Sequence, residues 1–290
     1  MQSENGIRRA GCAARTKKET KRIGPVRMLL LLTAILAVLF FGSFSLGRYG
    51  VPFGEVFRIL LDRVVPLAQT WTDKMETAVV NIRLPRIVMA CLVGCSLSAA
   101  GASFQGVFQN PMAAPDILGA SSGAAFGAAL AILLGGSTRM ITLSAFIFSM
   151  ITVCAVFLIA QRAPGLKVVN LILAGIMVGS LFKAGTSYVK LVADPTDQLP
   201  AITYWLMGSL SGSKLKDVGF VVVPMSIGLV PLLLLRWRIN ILTLGDEEAH
   251  TLGVNTNRLR FFVIVCSTLV TAASVSVSGM IGWVGLVIPH

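Results

Sequence analysis

Residues 28–47 read MLLLLTAILAVLFFGSFSLG, twenty residues without a charge. At 1.5 Å rise per residue, a helix of that length is about 30 Å long, the thickness of a bilayer's hydrocarbon core. In water such a helix would have no polar face to turn to solvent; in lipid it needs none. Ahead of it stand Arg8, Arg9, Arg15, Lys17, Lys18, Lys21, Arg22 and Arg27, opposed only by Glu4 and Glu19. A basic flank stays on the cytoplasmic side, so the order predicts a cytoplasmic N-terminus. The alternative is a cleavable signal peptide. The run is longer than the ~7–15 residues of a signal h-region, and residues 43–48 make a poor cleavage site.

The whole chain has the same character. Its 290 residues are 55% hydrophobic and 13% charged, where a soluble domain runs nearer ~45–50% and ~25%. So few charges cannot cover a soluble surface, and so much apolar side chain excludes disorder. The formal charge of +12 would suit nucleic acid, but the basic residues crowd the tail instead of striping a folded domain. Further apolar runs occupy residues 87–107, 117–135, 140–160, 168–182, 218–235 and 261–278, and a last one opens at 280. The expected architecture is all-α: a basic cytoplasmic tail over 1–27, then a polytopic membrane helix bundle over 28–290 with seven complete spans and the start of an eighth. Without the tail, the remaining loop charges would favour the opposite orientation.

Three connections exceed a turn. Within 48–86, residues 51–65 (VPFGEVFRILLDRVV) have the pattern of an amphipathic interfacial helix. Residues 192–217 carry Pro195, Pro200 and the interfacial pair Tyr204 and Trp205. Residues 236–260 hold a dense acidic cluster, Asp246-Glu247-Glu248. There is also an internal echo. Gly101, Gly106 and Pro111 close one apolar run, and Gly279, Gly285 and Pro289 close another 178 residues later. On the expected topology these runs cross in opposite senses, as inverted repeats do. Chance matching in a glycine-rich chain is the competing explanation.

Catalysis finds little footing. His250 and His290 are the only histidines, and no His/Cys/carboxylate group has metal spacing. Cys91 and Cys95, one helical turn apart, read as packing residues. There is no G-x-x-x-x-G-K-[ST] loop to cradle phosphates. Asp116 is the sole acid near a span, where it suits a helix cap after Pro115.

Two blocks remain. The first is Arg83-Leu-Pro-Arg86, a run rich in Gly, Ala and Ser, and then Gln109-Asn-Pro-Met-Ala-Ala-Pro-Asp-Ile-Leu-Gly119. Small residues let helices approach closely in lipid, and Asn110, Pro111 and Pro115 break the backbone between two spans. The arginines read either as headgroup anchors or as a docking point. The second block is Gly245-Asp-Glu-Glu-Ala-His-Thr-Leu-Gly253. Acids in its first turn and a glycine after its last make a short self-capped helix, suited to a partner's groove or serving as a solvated connector.

At these residues the sequence resembles the FecCD-type permease subunits of ATP-binding-cassette (ABC) importers for ferric siderophores, haem and cobalamin. The resemblance is carried by RLPR (83–86), GASFQGVFQNPMAAPDILGASSGA (101–124), LILAGIMVGSLF (171–182), YWLMGSLSG (204–212), LGDEEAHTLGV (244–254) and SGMIGWVGLVIPH (278–290). It implies a type II importer permease fold of ten spans, of which this sequence carries seven and the start of an eighth: either it is a fragment, or the transporter is defective or completed elsewhere, and this chain alone is not expected to transport. It also implies a homo- or heterodimer in the cell membrane, two separate ATPase subunits that use the ATP, and an extracytoplasmic binding protein. This chain would bind no cofactor and no metal and would not be an enzyme.

The resemblance gives Arg83 and Arg86 the role of receiving carboxylates of the binding protein, for which arginine's forked donors are suited. It makes Gly245, Asp246, Glu247, Glu248, Ala249, Leu252 and Gly253 the coupling helix pressed into the ATPase. Tyr204, Trp205 and Gly208 would gate the path. Gly101, Gln105, Asn110, Pro111, Pro115, Gly119, Gly279, Gly285 and Pro289 would shape the helix breaks. Lys183 is a departure from the pattern: it either faces the path and attracts an anionic chelate, or snorkels from the span's end. A secondary carrier with inverted repeats is the alternative function, but it should show a charged or ion-coordinating centre at mid-membrane, and the spans offer none.

Overall fold

The computed structural model describes residues 24–47, 49–63, 65, 68–164 and 167–289. The basic tail before residue 24, and His290, lie outside the described residues. Within them the chain is all-helical, with no strand.

Among the described residues, six helical stretches are long and apolar enough to cross a membrane. The first is α1 (Pro25–Ser45), followed by the short α2 (Phe53–Asp62), which falls inside the stretch expected to lie at the interface. The second runs unbroken from Asp73 to Phe108. It begins as α3 (Asp73–Glu76), widens into a π-helical stretch over Thr77–Arg83 and tightens into α4 (Leu84–Phe108). The RLPR motif, which reads in sequence as the polar edge of a span, therefore lies inside a continuous helix. Pro85 has no N–H to give to the turn before it, and that is the turn that widens.

The other long helices are α6 (Thr138–Arg162), α7 (Lys167–Val192), α9 (Leu215–Leu234) and α12 (Thr256–Ser278). The run at 117–135 takes a different form from the others. A 3-10 turn (Pro115–Leu118) leads into α5 (Ala120–Leu133), whose 14 residues extend only about 21 Å. Short helices fill the connections: α8 (Gln198–Met207), α10 (Arg236–Leu242), α11 (Asp246–Thr251) and α13 (Val284–Val287).

The bundle is organised around α4 and α12, which pack on each other, on α9 and, through α12, on α5 and α6. At one end, Phe104, Val107, Val156, Leu171, Leu242, Ala249, Val263 and Ile264 form a core that joins α4, α6, α7, α10, α11 and α12. Met89, Val93, Val221, Met225 and Ala273 fill the space between α4, α9 and α12. At the opposite end, Phe44, Val56, Ile59, Trp71 and Val79 tie α1 and α2 to the π-helical stretch. By contrast, α1 buries only Phe44 among its described side chains, as a lipid-bathed outer helix would.

Candidate functional site

The two glycine motifs meet. A Cβ added to Gly101 would overlap the Gly285 carbonyl oxygen and lie 2.7 Å from its carbon, and one on Gly285 would lie 2.8 Å from Pro115 Cγ. Gln105 Nε2 donates to the Leu286 carbonyl at 3.2 Å. Gly101, Gln105, Pro115 and Gly285 thus form one contact between α4, the 3-10 turn and α13. Next to it, Gly119 (φ +72°) packs on the Gly179 backbone of α7, its absent Cβ 3.2 Å from Gly179 Cα. Only glycine combines that left-handed backbone with that approach.

Asn110 caps its own turn by accepting from Met112 N–H at 2.8 Å. With Pro111 and Pro289, Asn110 borders a cavity of about 570 Å³ beside α9 and α10. Sequence reasoning missed Gln109, which takes the left-handed conformation (φ 50°) and donates Nε2 to Leu242 O at 2.7 Å. Asp116 is the N-cap of neither the 3-10 turn (Ala114) nor α5 (Gly119); from within the 3-10 turn it accepts from the Ser121 N–H in the first turn of α5 at 3.1 Å.

Gly245 (φ +127°) and Gly253 (φ +77°) bracket α11 as the sequence suggests. The Gly253 and Val254 N–H groups close it on the His250 and Ala249 carbonyls, both at 3.0 Å. Ala249 is fully buried, so one face of this helix is seated in the bundle. Asp246 is gripped bidentately by Arg260 of α12, Nη2–Oδ1 at 2.6 Å and Nη1–Oδ2 at 2.9 Å. Glu247 and Glu248 are exposed. So are Leu252, Leu244 and Trp237, which leaves an acidic and apolar knob at this end. Neither Arg260 nor Trp237 stood out in the sequence, because nothing local relates them to α11.

At the other end, Arg83 donates to the carbonyls of Phe44 and Tyr49, and Arg86 to that of Ser211. Both arginines therefore hold neighbouring segments of their own chain; Arg86 stays exposed and Arg83 half-buried. Gly208 (φ +73°) and Gly279 (φ +69°) interlock, an added Gly279 Cβ lying 2.8 Å from Gly208 Cα, and Ser209 N–H donates to Ser278 O at 2.7 Å. Tyr204 and Trp205 line a cavity of about 460 Å³ together with Ser209, Ser278 and Gly279. Lys183 is exposed on α7, one turn beyond Gly179. The structure does not bring Lys183 to Tyr204 and Trp205 in one cavity. Among the described residues no group of three His, Cys, Asp or Glu could hold a metal ion.

Comparison with known proteins agrees with this arrangement. Residues 35–290 match the FecCD transport family. The chain is 38% identical over 264 residues to the molybdate import system permease protein MolB of Haemophilus influenzae, covering 91% of this chain and 76% of that one. It is 40% identical over 226 residues to the cobalamin import system permease protein BtuC of Halobacterium salinarum, covering 78% and 61%. It is 34% identical over 278 residues to the hemin transport system permease protein HmuU of Yersinia pestis, covering 93% and 79%. A solved structure, an inward-facing conformation of a metal-chelate type ABC transporter, superimposes with a TM-score of 0.80 at 36% identity, over 91% of this chain and 80% of that one. The chain belongs to the FecCD transport family, and its fold is that of a type II ABC transporter permease.

Proposed function

We propose that this chain is the membrane permease subunit of an ATP-driven importer for a metal chelate. In this reading it sits in the cell membrane with its N-terminus in the cytoplasm and pairs with a second permease subunit. Two ATPase subunits serve the pair, one docking on the knob at α11 of this chain, and an extracytoplasmic binding protein delivers cargo to the Arg86 end. The observation that carries the reading is α11 itself: a capped acidic helix, seated by Ala249, clamped to a long bundle helix through Asp246–Arg260 and flanked by exposed Leu252 and Trp237. A six-residue helix has no stability of its own, so its shape comes from the bundle, and force applied to it passes into α12. With no phosphate-cradling loop in the sequence, the energy must come from a partner.

A ferric siderophore leads as cargo, with haem, cobalamin and oxyanions such as molybdate as the relatives' alternatives. Lys183 would draw an anionic chelate into the path between permease subunits. Arg86, and Arg83 once released from its carbonyl partners, would pair with carboxylates on the binding protein.

The test separates the two docking ends. With the partner ATPase and binding protein, charge reversal at Arg83 and Arg86 should abolish binding-protein capture and spare ATPase assembly. Gly253→Pro should do the reverse, because it destroys the left-handed C-terminal turn of α11. Pull-downs in which both mutants keep both partners would overturn the assignment.

A further inference from the structure

At the end of the bundle that carries α11, Phe157 of α6 meets Phe261 of α12 with ring centroids 4.9 Å apart, and the last turn of α6 and the first turns of α7 and α12 leave a hollow beside that pair. This cleft has a volume of about 420 Å³. Its inner wall is apolar, formed by Phe157, Ala160, Leu171, Phe261 and Ile264, and its rim is polar, with Gln161, Asn257, Arg258 and Arg260. The walls reach inward to Ile264, eight residues into α12, about 12 Å along its axis. In the orientation proposed above, its polar rim lies toward the membrane surface and its apolar wall toward the hydrocarbon.

Its charges are unbalanced in a specific way. Arg258 is exposed and forms no ion pair among the described residues. Arg260 gives both terminal nitrogens to Asp246, and its Nε, buried, has no acceptor. No carboxylate lines the cleft. A soluble anion would suit the rim but leave the apolar wall uncovered. A neutral lipid would suit the wall but leave the guanidinium at the rim unanswered.

We propose that this cleft holds one anionic phospholipid, its phosphate at Arg258 and an acyl chain laid along the touching Phe157 and Phe261 rings. Basic pockets between helices on the cytoplasmic side are suited to such headgroups. The leaflet assignment rests on the orientation proposed above, but the binding itself does not. Arg260, on the same rim, holds Asp246, so the bound lipid lies one side chain from α11.

Native mass spectrometry of the full chain, released from detergent with equal phosphatidylglycerol and phosphatidylcholine, tests this. One phosphatidylglycerol should be retained in preference. Arg258→Gln, a change at an exposed position, should lower that preference about fivefold, the factor expected for one interfacial arginine. A phosphatidylglycerol with a photoreactive tail should label the segments around Phe157, Leu171 or Phe261. Equal retention of both lipids would overturn the proposal, and so would labelling confined to other helices. Competition by inorganic phosphate would mark a simple anion site and overturn it too. If Arg258→Gln leaves lipid retention unchanged but releases a co-purified ATPase, Arg258 serves the protein partner and the proposal fails.

Discussion

Gly101→Ala tests whether α4 and α13 meet as described. The added methyl would overlap the Gly285 carbonyl oxygen and lie 2.7 Å from its carbon, where carbon atoms prefer about 3.5–4.0 Å. The obstacle is backbone, so no side-chain rotation relieves it; Gly285 must retreat by roughly 1.5 Å to clear its carbonyl oxygen. Retreat is blocked by Pro115 on the other side of Gly285, and it would stretch the Gln105–Leu286 hydrogen bond. Overpacking of this kind costs about 1–3 kcal/mol, and a weakened hydrogen bond adds up to about 1 kcal/mol. Against this, replacing a helical glycine by alanine gains about 0.5–1 kcal/mol.

The balance is a destabilisation of about 2 kcal/mol, or about 4–8 °C in Tm for a chain of this size. Gly94→Ala on the same helix is the control: nothing lies within 4 Å of its added methyl, so it should be neutral or stabilising by up to about 1 kcal/mol. Thermal unfolding of both variants in one detergent reads the difference directly. If Gly101→Ala unfolds at or above the temperature of Gly94→Ala, α13 is not seated on α4 and the assembly of the two glycine motifs is wrong.

Arg260→Gln removes both bonds to Asp246, whose carboxylate is half exposed, so the loss is about 1 kcal/mol; hydrogen exchange of the α11 amides should accelerate about fivefold, and an unchanged rate would show the clamp to be idle. The Asp194 carboxyl is held below the ordinary aspartate range by hydrogen bonds from the Thr196 hydroxyl, the Thr196 N–H and the Asp197 N–H. Being depressed, it supports the turn into α8 at neutral pH, and that support is lost only as pH falls through and below the ordinary aspartate value. Amide protection at Thr196 and Asp197 should therefore drop under acid conditions in the native chain and be low at all pH in Asp194→Ala; protection that is flat with pH in the native chain would contradict this. Lys183→Met in the assembled importer should slow uptake of an anionic chelate, and unchanged uptake of the native ligand would remove Lys183 from the path.

Much of this architecture is legible in one dimension because lipid imposes a simple rule. Every spanning backbone must satisfy its own hydrogen bonds, so an uncharged run of 20 residues announces a helix. Residues 28–47, 140–160 and 218–235 became α1, α6 and α9 with small shifts at their ends. Local chemistry was equally readable in α11, where glycines at 245 and 253 mark both ends. What stayed hidden depends on neighbours far away in sequence. The run at 117–135 is apolar enough to span, yet Gly119 turns left-handed to lie on Gly179, and the helix that follows is short. RLPR reads as a boundary because proline usually starts a helix, whereas here a π-helical stretch carries the helix through it. Gln109 and Trp283 adopt positive φ without being glycine, and in Gln109 the bond to Leu242, 133 residues away, accompanies the conformation.

One helix connects the two ends that the proposed function needs. The N-terminal turns of α12 hold α11 through Arg260, and its last residue, Ser278, accepts from Ser209 at the far end, where Gly279 locks against Gly208. The 23 residues between extend about 35 Å. Most of that length is buried, with Ser267, Thr271 and Ser274 packed among neighbouring helices, so α12 can tilt or shift only as a body against α4 and α9. A partner that moves α11 cannot leave the Tyr204–Ser209 segment unmoved unless α12 bends, and no proline interrupts it. α9, by contrast, carries Pro224 and Pro231, each of which removes an internal hydrogen bond, so in the proposed function the uninterrupted link between α11 and the Tyr204–Ser209 segment is α12.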